Sequence, residues 1–487
     1  MLFLIKMKYF IKLIRRLTIP IAAMMYVFIS CDQKDTDKNT GEPWKPESPV
    51  VITKFFPDSG RVRDQVLIEG SNFGNNTSII KVFFDDFEAK VIGTNGTSIL
   101  ALVPRIAGAI PDVDNTCEVS VQVGTAQKKV FTDKNFRYRV SASVTTFCGN
   151  GEWANDFSHG VFSRVRLIPV FIGVDSEYNI FVTTDNHHLL RLDETAGTVS
   201  ILMNEAQGMN VHLSPSTTPD DVILLGHRGQ RDRFTTLDPK DGWSPKPMLI
   251  RSWDQNGYQL PTNSTHFYLL YCAADGQYYT RYWNGEIVRI DPITWRAKIV
   301  GLTPRGQAYF SAFNPDNPSE LWMGYDFGSD EGAMRNSICR VDVLDERTWE
   351  DLRLEEDPDY DFVVNPPPYG ENILNTFEKL TGATGGDHRD GPISESQFFG
   401  IRQLNFDPEA GVVYVGDSRN YCIRMINIRR EGMPVSTLIG IPKSAGSNDG
   451  KREDARFNEI HGIVSDADGV IYASDWNNCK IRRIAVE

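Results

Sequence analysis

The sequence predicts an all-β chain, most of it a closed ring of small repeated sheets, and three observations predict it. First, the final segment, residues 457–487 (FNEIHGIVSDADGVIYASDWNNCKIRRIAVE), holds three apolar runs separated by the turn signals DADG and DWNN, and then stops. Second, the most similar stretch within the chain, residues 399–440, has the same three runs followed by a fourth, VSTLIG at 435–440. Third, a match to that fourth run, VTTFCG, occurs at residues 144–149. A β-propeller whose first strand completes its last blade produces this arrangement, because closing the ring protects strand edges that otherwise template aggregation. The propeller is therefore expected over residues 141–487.

Within the last two copies, Gly400-Ile401 aligns with Gly462-Ile463 and Val413-Tyr414 with Ile471-Tyr472. Asp417-x-x-Asn420-x-x-Ile423-Arg424 aligns with Asp475-x-x-Asn478-x-x-Ile481-Arg482. A linker recurs before each copy, Asp390-Gly391 to Gln397-Phe398 and Asp449-Gly450 to Arg456-Phe457. Each unit is a meander of short strands that buries its faces only by stacking on its neighbours. The pattern resembles NHL repeats. Weaker copies fall at 172–192, where Asp185-Asn186 opens the same turn, and at 222–237, 278–290 and 321–341. That count gives six blades, with the long irregular interval 346–398 as the place where a seventh would hide.

Residues 1–30 contain Lys6, Lys8, Lys12, Arg15 and Arg16, no acid, and an apolar stretch over 17–30 that ends at Cys31. A basic head and a short apolar run read as an export signal, since the run is too short to cross a bilayer comfortably. Phe28-Ile29-Ser30-Cys31 resembles a bacterial lipobox, which implies that Cys31 becomes the lipidated N-terminus. Each buried CH₂ of a lipid chain adds about 0.8 kcal/mol of membrane binding, so a multiply acylated cysteine is a firm anchor. Residues 31–48 (CDQKDTDKNTGEPWKPES) bury almost nothing and read as a tether. The acids just behind Cys31 resemble the export tag of surface lipoproteins in Bacteroides-like bacteria.

Residues 49–140 form a separate all-β unit. It opens with Ile52-x-x-Phe55-Phe56-Pro57-x-Ser59-Gly60, continues with Val66-x-Ile68-x-Gly70-Ser71-Asn72-Phe73-Gly74, and closes with Phe136-x-Tyr138. This unit resembles an IPT/TIG domain along its whole length, which implies an immunoglobulin-like sandwich acting as a spacer. Gly70 and Gly74 fit places where a side chain would clash or φ must be positive.

A hydrophobic content of 41% supports two real cores. The formal charge is −13, and loss of residues 1–30 with their five basic residues takes it to −18. That balance argues against nucleic acid or an anionic membrane surface as a general partner. Cys422 and Cys479 occupy different positions in the repeat, so neither a disulfide framework nor a cysteine metal site is implied. With Cys117, Cys148, Cys272 and Cys339 they read as small core residues.

A propeller places ligands on the face made by the turns between second and third strands and by the linkers between blades. The turns supply His187 and His188, His227 and Arg228, Tyr282 and Trp283, Tyr325, Arg419 and Trp476. The linkers supply Trp153, Trp253, Tyr258, His388 and Arg389. Exposed rings match the apolar face of a sugar and flanking polar groups fix its hydroxyls. Packing is the competing reading for each ring, since aromatic side chains also fill the seams between blades. Trp283, beside Asn284-Gly285, and Trp476, beside Asn477-Asn478, are expected to be the most exposed.

Asp417/Asn420 and Asp475/Asn478 recur at one point of the repeat and so read as turn stabilisers rather than metal ligands or an acid pair. Asp466-x-Asp468-Gly469 lacks the rest of a calcium loop and reads as a hairpin turn. His187 with His227 is the one pairing that resembles a lyase-type metal site, without a supporting spacing. No catalytic motif appears, so no cofactor and no enzymatic activity are expected.

The whole arrangement resembles the surface lipoproteins that accompany sugar-uptake systems in Bacteroides-like bacteria. The resemblance implies an outer-membrane protein, lipid-anchored and facing the cell exterior. It would bind an oligo- or polysaccharide at the propeller rim beside a transporter or neighbouring surface lipoproteins. The alternatives are a protein-docking scaffold and a propeller-type carbohydrate lyase or lactonase.

Overall fold

The computed structural model describes residues 41–486 apart from 107, 110–114, 125–127, 155–159, 186, 205–214, 228–231, 253–265, 267, 327–333, 346–375 and 383–384. The export segment and Cys31 lie outside the described residues.

The first unit is a sandwich of eight strands between Val51 and Tyr138. Alternation decides its packing: along Gln65–Gly74, Val66 and Ile68 turn inward while Gln65 is exposed. These side chains meet Val82, Phe84, Ile99, Val119, Val121 and Phe136, with Phe84 and Phe136 edge to face at 5.0 Å. Gly70 has no room for a side chain, because a Cβ there would lie 2.0 Å from the Val51 carbonyl oxygen. Trp44, at the end of the tether, packs against this core and abuts Gly74 and Gly124 at one pole of the sandwich.

Six further sheets form the propeller. Their inner strands are Pro169–Val174, Ser216–Thr217, Leu270–Tyr271, Ser311–Asn314, Ile401–Asp407 and Ile460–Ser465, and the last packs against the first. The second strands carry near-continuous apolar runs, as in Val412–Asp417, because both faces pack against adjacent blades, and all six of its residues are buried. Interval 346–398 adds no further sheet among the described residues; its strand Glu378–Lys379 is the outer strand of blade 4.

Ring closure follows the sequence expectation. Ala142–Cys148 pairs antiparallel with Lys480–Val486, setting Val144 opposite Ile484, and serves as the outer main strand of blade 6. The repeat alignment needs one correction. Ile401 pairs with Asp417 and Ile460 with Asp475, so Gly400 matches Glu459 and Gln403 matches Gly462. The hairpin from Ile401 to Asp417 is one residue longer than that from Ile460 to Asp475, and the Gly-Ile match lies three residues out of register.

The repeated Asp, Asn and Arg residues form one buried clamp, built twice. Arg424 donates to Asp417 at 2.8 Å, to Asp390 at 2.7 Å, and to the carbonyls of Arg389 and Gln397. Arg482 does the same with Asp475, Asp449, and the carbonyls of Asn448 and Arg456. Asn420 and Asn478 donate to Asp417 and Asp475 as turn stabilisers should. The aspartates thus hold the arginines as well as the turns, and the arginines tie each linker to its blade. All six cysteines from Cys117 onward are buried and free.

The two units meet at the face opposite the second-to-third-strand turns. Arg105 of the sandwich lies 3.1 Å from Asp407, at the far end of the inner strand of blade 5. It also approaches the Tyr414 hydroxyl and the Gly469 carbonyl. The sandwich strand Gly96–Leu102 runs from the Trp44 pole toward Arg105, so tether and propeller sit at opposite ends of the sandwich.

Candidate functional site

Each inner strand begins on the face of the second-to-third-strand turns, so its first residues line the mouth of the central channel. In blades 5 and 6 the second residue of that strand is polar: Arg402 and His461. One residue further, Gln403 reaches past blade 6 to blade 1. Its amide donates to the Ile172 carbonyl at 2.8 Å and its oxygen accepts from the N–H groups of Ile172 and Ile463, both at 3.3 Å. That side chain bridges the inner strands of blades 5, 6 and 1 next to Arg402 and His461.

Around this mouth the charged groups are continuous. Arg402 Nε lies 3.3 Å from the buried Asp326, and its guanidinium stacks on Tyr309, 4.9 Å from the ring centre. Gly400, with φ +82° in the region that favours glycine, lies between Asp326 and Arg419. Arg419 sits over Phe399 and 4.0 Å from Glu459. Glu459 in turn is 3.6 Å from His461. The neighbouring His461 holds the Glu459 carboxyl below its ordinary pKa against the effect of burial, with Arg419 and Arg402 adding to the pull.

An aromatic wall stands beside these charges. His461 stacks on Trp476 with ring centres 4.7 Å apart and planes 15° from parallel. Trp153 meets Trp476 edge to face at 4.9 Å. Trp153 is 51% exposed, and Trp476 Nε1 is buried and has no hydrogen-bond partner among the described residues.

Of the sequence-predicted site residues, the structure brings together Trp153, Trp476 and Arg419. His187 occupies its expected turn, with φ +60° and its N–H bonded to the Thr184 carbonyl. Three others, expected at the rim, are core residues instead. Tyr325 is fully buried and donates to the Pro304 carbonyl at 2.8 Å, packed on the buried Arg281. Tyr282 is fully buried with its ring edge on His266. His227 is buried and its Nε2 lies 2.7 Å from the Thr235 hydroxyl. Trp283 is half-buried against the core of blades 3 and 4 rather than prominent, and Trp476 is half-buried too. His388 lies 2.8 Å from the Thr437 hydroxyl beside the blade 5 clamp, and Arg389 pairs its backbone with Gln397. Arg228, Trp253 and Tyr258 lie outside the described residues.

Sequence reasoning missed Arg402, Glu459, His461, Asp326 and Tyr309. The available signal was a charged or ring residue one place into an otherwise apolar inner strand, as in Ile401-Arg402 and Ile460-His461. Among the described residues, no group of three or more His, Cys, Asp or Glu is placed to hold a metal.

Residues 49–138 match the IPT/TIG domain family. No curated protein matches the chain. Among solved structures, a protein of unknown function from Bacteroides thetaiotaomicron VPI-5482 matches with TM-score 0.69 and 19% identity over 91% of this chain and 100% of that one. An auxiliary nutrient binding protein from the same organism matches with TM-score 0.53 and 22% identity, over 91% and 99% of the two chains. Another, from Bacteroides ovatus ATCC 8483, has TM-score 0.53 and 19% identity, over 91% and 100%. At these identities the likeness establishes the shared fold.

Proposed function

We propose that this chain is a lipid-anchored surface protein that binds an oligosaccharide at the channel mouth and holds it for a neighbouring transporter. The observation that carries the reading is the exposed Trp153 set against Trp476 and His461, beside a charge-lined mouth. A ring of this kind offers a flat apolar face for sugar C–H groups, and the arginines and acids offer donors and acceptors for hydroxyls. The names of two structural neighbours, auxiliary nutrient binding proteins, support a binding role.

The geometry also favours outward display. Tether, sandwich and propeller follow one another, and Arg105 docks the sandwich on the face opposite the mouth. A lipid at Cys31 would therefore hold the site at the end of the molecule away from the membrane.

The test is a glycan array followed by calorimetry with residues 32–487. Binding that falls at least tenfold in Trp153→Ala and Trp476→Ala, about 1.4 kcal/mol or more, is the expected result. A blank array sinks the reading and moves attention to protein partners.

A further inference from the structure

The charges at the mouth are unevenly exposed. The side chains of Arg402 and Arg419 are 19% and 37% exposed, whereas the acids they approach, Asp326 and Glu459, are 1% and 17% exposed. The carboxylates lie underneath and the guanidiniums above them, so an incoming molecule meets hydrogen-bond donors first. Both guanidiniums are also set in place beforehand, one stacked on Tyr309 and the other over Phe399. Ordering them in advance lowers the entropy cost of binding. A guanidinium has five N–H donors in a planar fork, so one carboxylate at 3.3 Å does not exhaust Arg402.

Resting on the oligosaccharide reading, we propose that the ligand is an acidic sugar. Its carboxylate or sulfate group would dock on Arg402 and Arg419 while its ring lies against Trp153. The planar fork suits both anions, and charge-assisted hydrogen bonds are about twice as strong as neutral ones. The net charge of −18 left once residues 1–30 and their five basic residues are lost opposes the approach of an anion. That repulsion is screened beyond about 8 Å at physiological ionic strength, which leaves the local arginines in control.

Calorimetry with residues 32–487 separates the possibilities. The probes are trigalacturonate, its fully methyl-esterified form, a carrageenan oligosaccharide bearing sulfate but no carboxylate, and a panel of neutral oligosaccharides. The expected result is that one or both anionic probes bind at least tenfold more tightly than the esterified sugar. Arg419→Gln, at a partly exposed position, should erase that difference, and affinity should fall as salt is raised from 50 to 300 mM. Sulfate binding without uronate binding, or the reverse, identifies which anion is recognised. Neutral or esterified sugars binding as tightly as the anions, or an unchanged Arg419→Gln, overturns the proposal while leaving the oligosaccharide reading intact. Failure of every probe and every neutral sugar overturns that reading itself.

Discussion

The Asp449 carboxylate accepts hydrogen bonds from the backbone N–H of Thr146 at 2.9 Å and from its hydroxyl at 3.2 Å, across 303 residues of chain. Arg482 donates to the same carboxylate at 2.6 Å. One side chain therefore fastens the N-terminal strand to the last blade. Asp390 makes the equivalent bonds to Thr437 and Arg424 in blade 5, where the strands follow one another in sequence. Asp449→Asn should cost about 2 kcal/mol, the range for hydrogen bonds to a charged group. It should also speed amide exchange in Ala142–Cys148, the strand held by no short connection. Asp390→Asn should cost a similar amount without loosening that strand. Equal exchange in the two variants would mean that closure does not depend on Asp449.

The clamps also set a pH dependence with two opposite limbs. Burial pushes the Asp417 and Asp475 carboxyls up to about 6, against the pull of Arg424 and Arg482. In the unfolded chain an aspartate titrates near 3.9. Between about 4 and 6 the folded protein thus holds more protons than the unfolded one, and stability falls as pH rises through that window. Glu459 runs the other way. Its folded pKa is lowered, so its contribution is complete above about 4.3 and is lost as pH falls through the folded value. The expected thermal midpoint is highest between about pH 4 and 5. A midpoint that climbs steadily from pH 4 to 6 would contradict the raised carboxyls.

The blades that repeat most closely were legible because their clamp residues recur in sequence. The closing strand was legible because its absence at one end matched its presence at the other. The mouth was harder to read, since its residues are first neighbours only once a ring exists: Arg402 and Asp326 belong to different blades, as do Arg419 and Glu459. Tyr325 was misread for a different reason. It lies one residue beyond the strand Asn317–Gly324 and keeps that strand's alternation, so it follows Leu321 and Met323 into the core. Tyr282 continues Tyr278–Arg281 in the same way, on the side of Tyr278. Strand alternation outlasts the last paired residue, and a turn assignment from sequence does not register that.

Arg105 is expected to couple the two units. Its guanidinium is mostly buried against Asp407 and Tyr414, and Ile106, Ala109 and Val486 line the same small cavity between the units. Arg105→Ala leaves the buried Asp407 without its cation, a loss of about 1–3 kcal/mol for an under-satisfied buried group. It should lower the propeller's thermal midpoint and broaden the interdomain distance distribution in small-angle scattering. An unchanged distribution would place the coupling in the apolar contacts instead.

Glu459 offers a direct test of whether the mouth is built for binding. It holds φ +64°, a left-handed conformation that costs a non-glycine residue roughly 1–2 kcal/mol, at the position where blade 5 has Gly400. Strain of this kind is retained where the side chain has work that a relaxed residue would not do. Here the carboxylate links His461, stacked on Trp476, to Arg419 at the rim. Asparagine suits the same backbone better but carries no charge, so the eased strain offsets the stability that the carboxylate contributed. Glu459→Asn should therefore leave the thermal midpoint near that of the parent while weakening oligosaccharide binding at least fivefold, because His461 and Arg419 lose the group that positions them. Calorimetry beside thermal unfolding measures both quantities on one sample. A large drop in midpoint with unaltered affinity would make Glu459 a fold residue, and would shift the weight of the site onto Trp153 and the arginines.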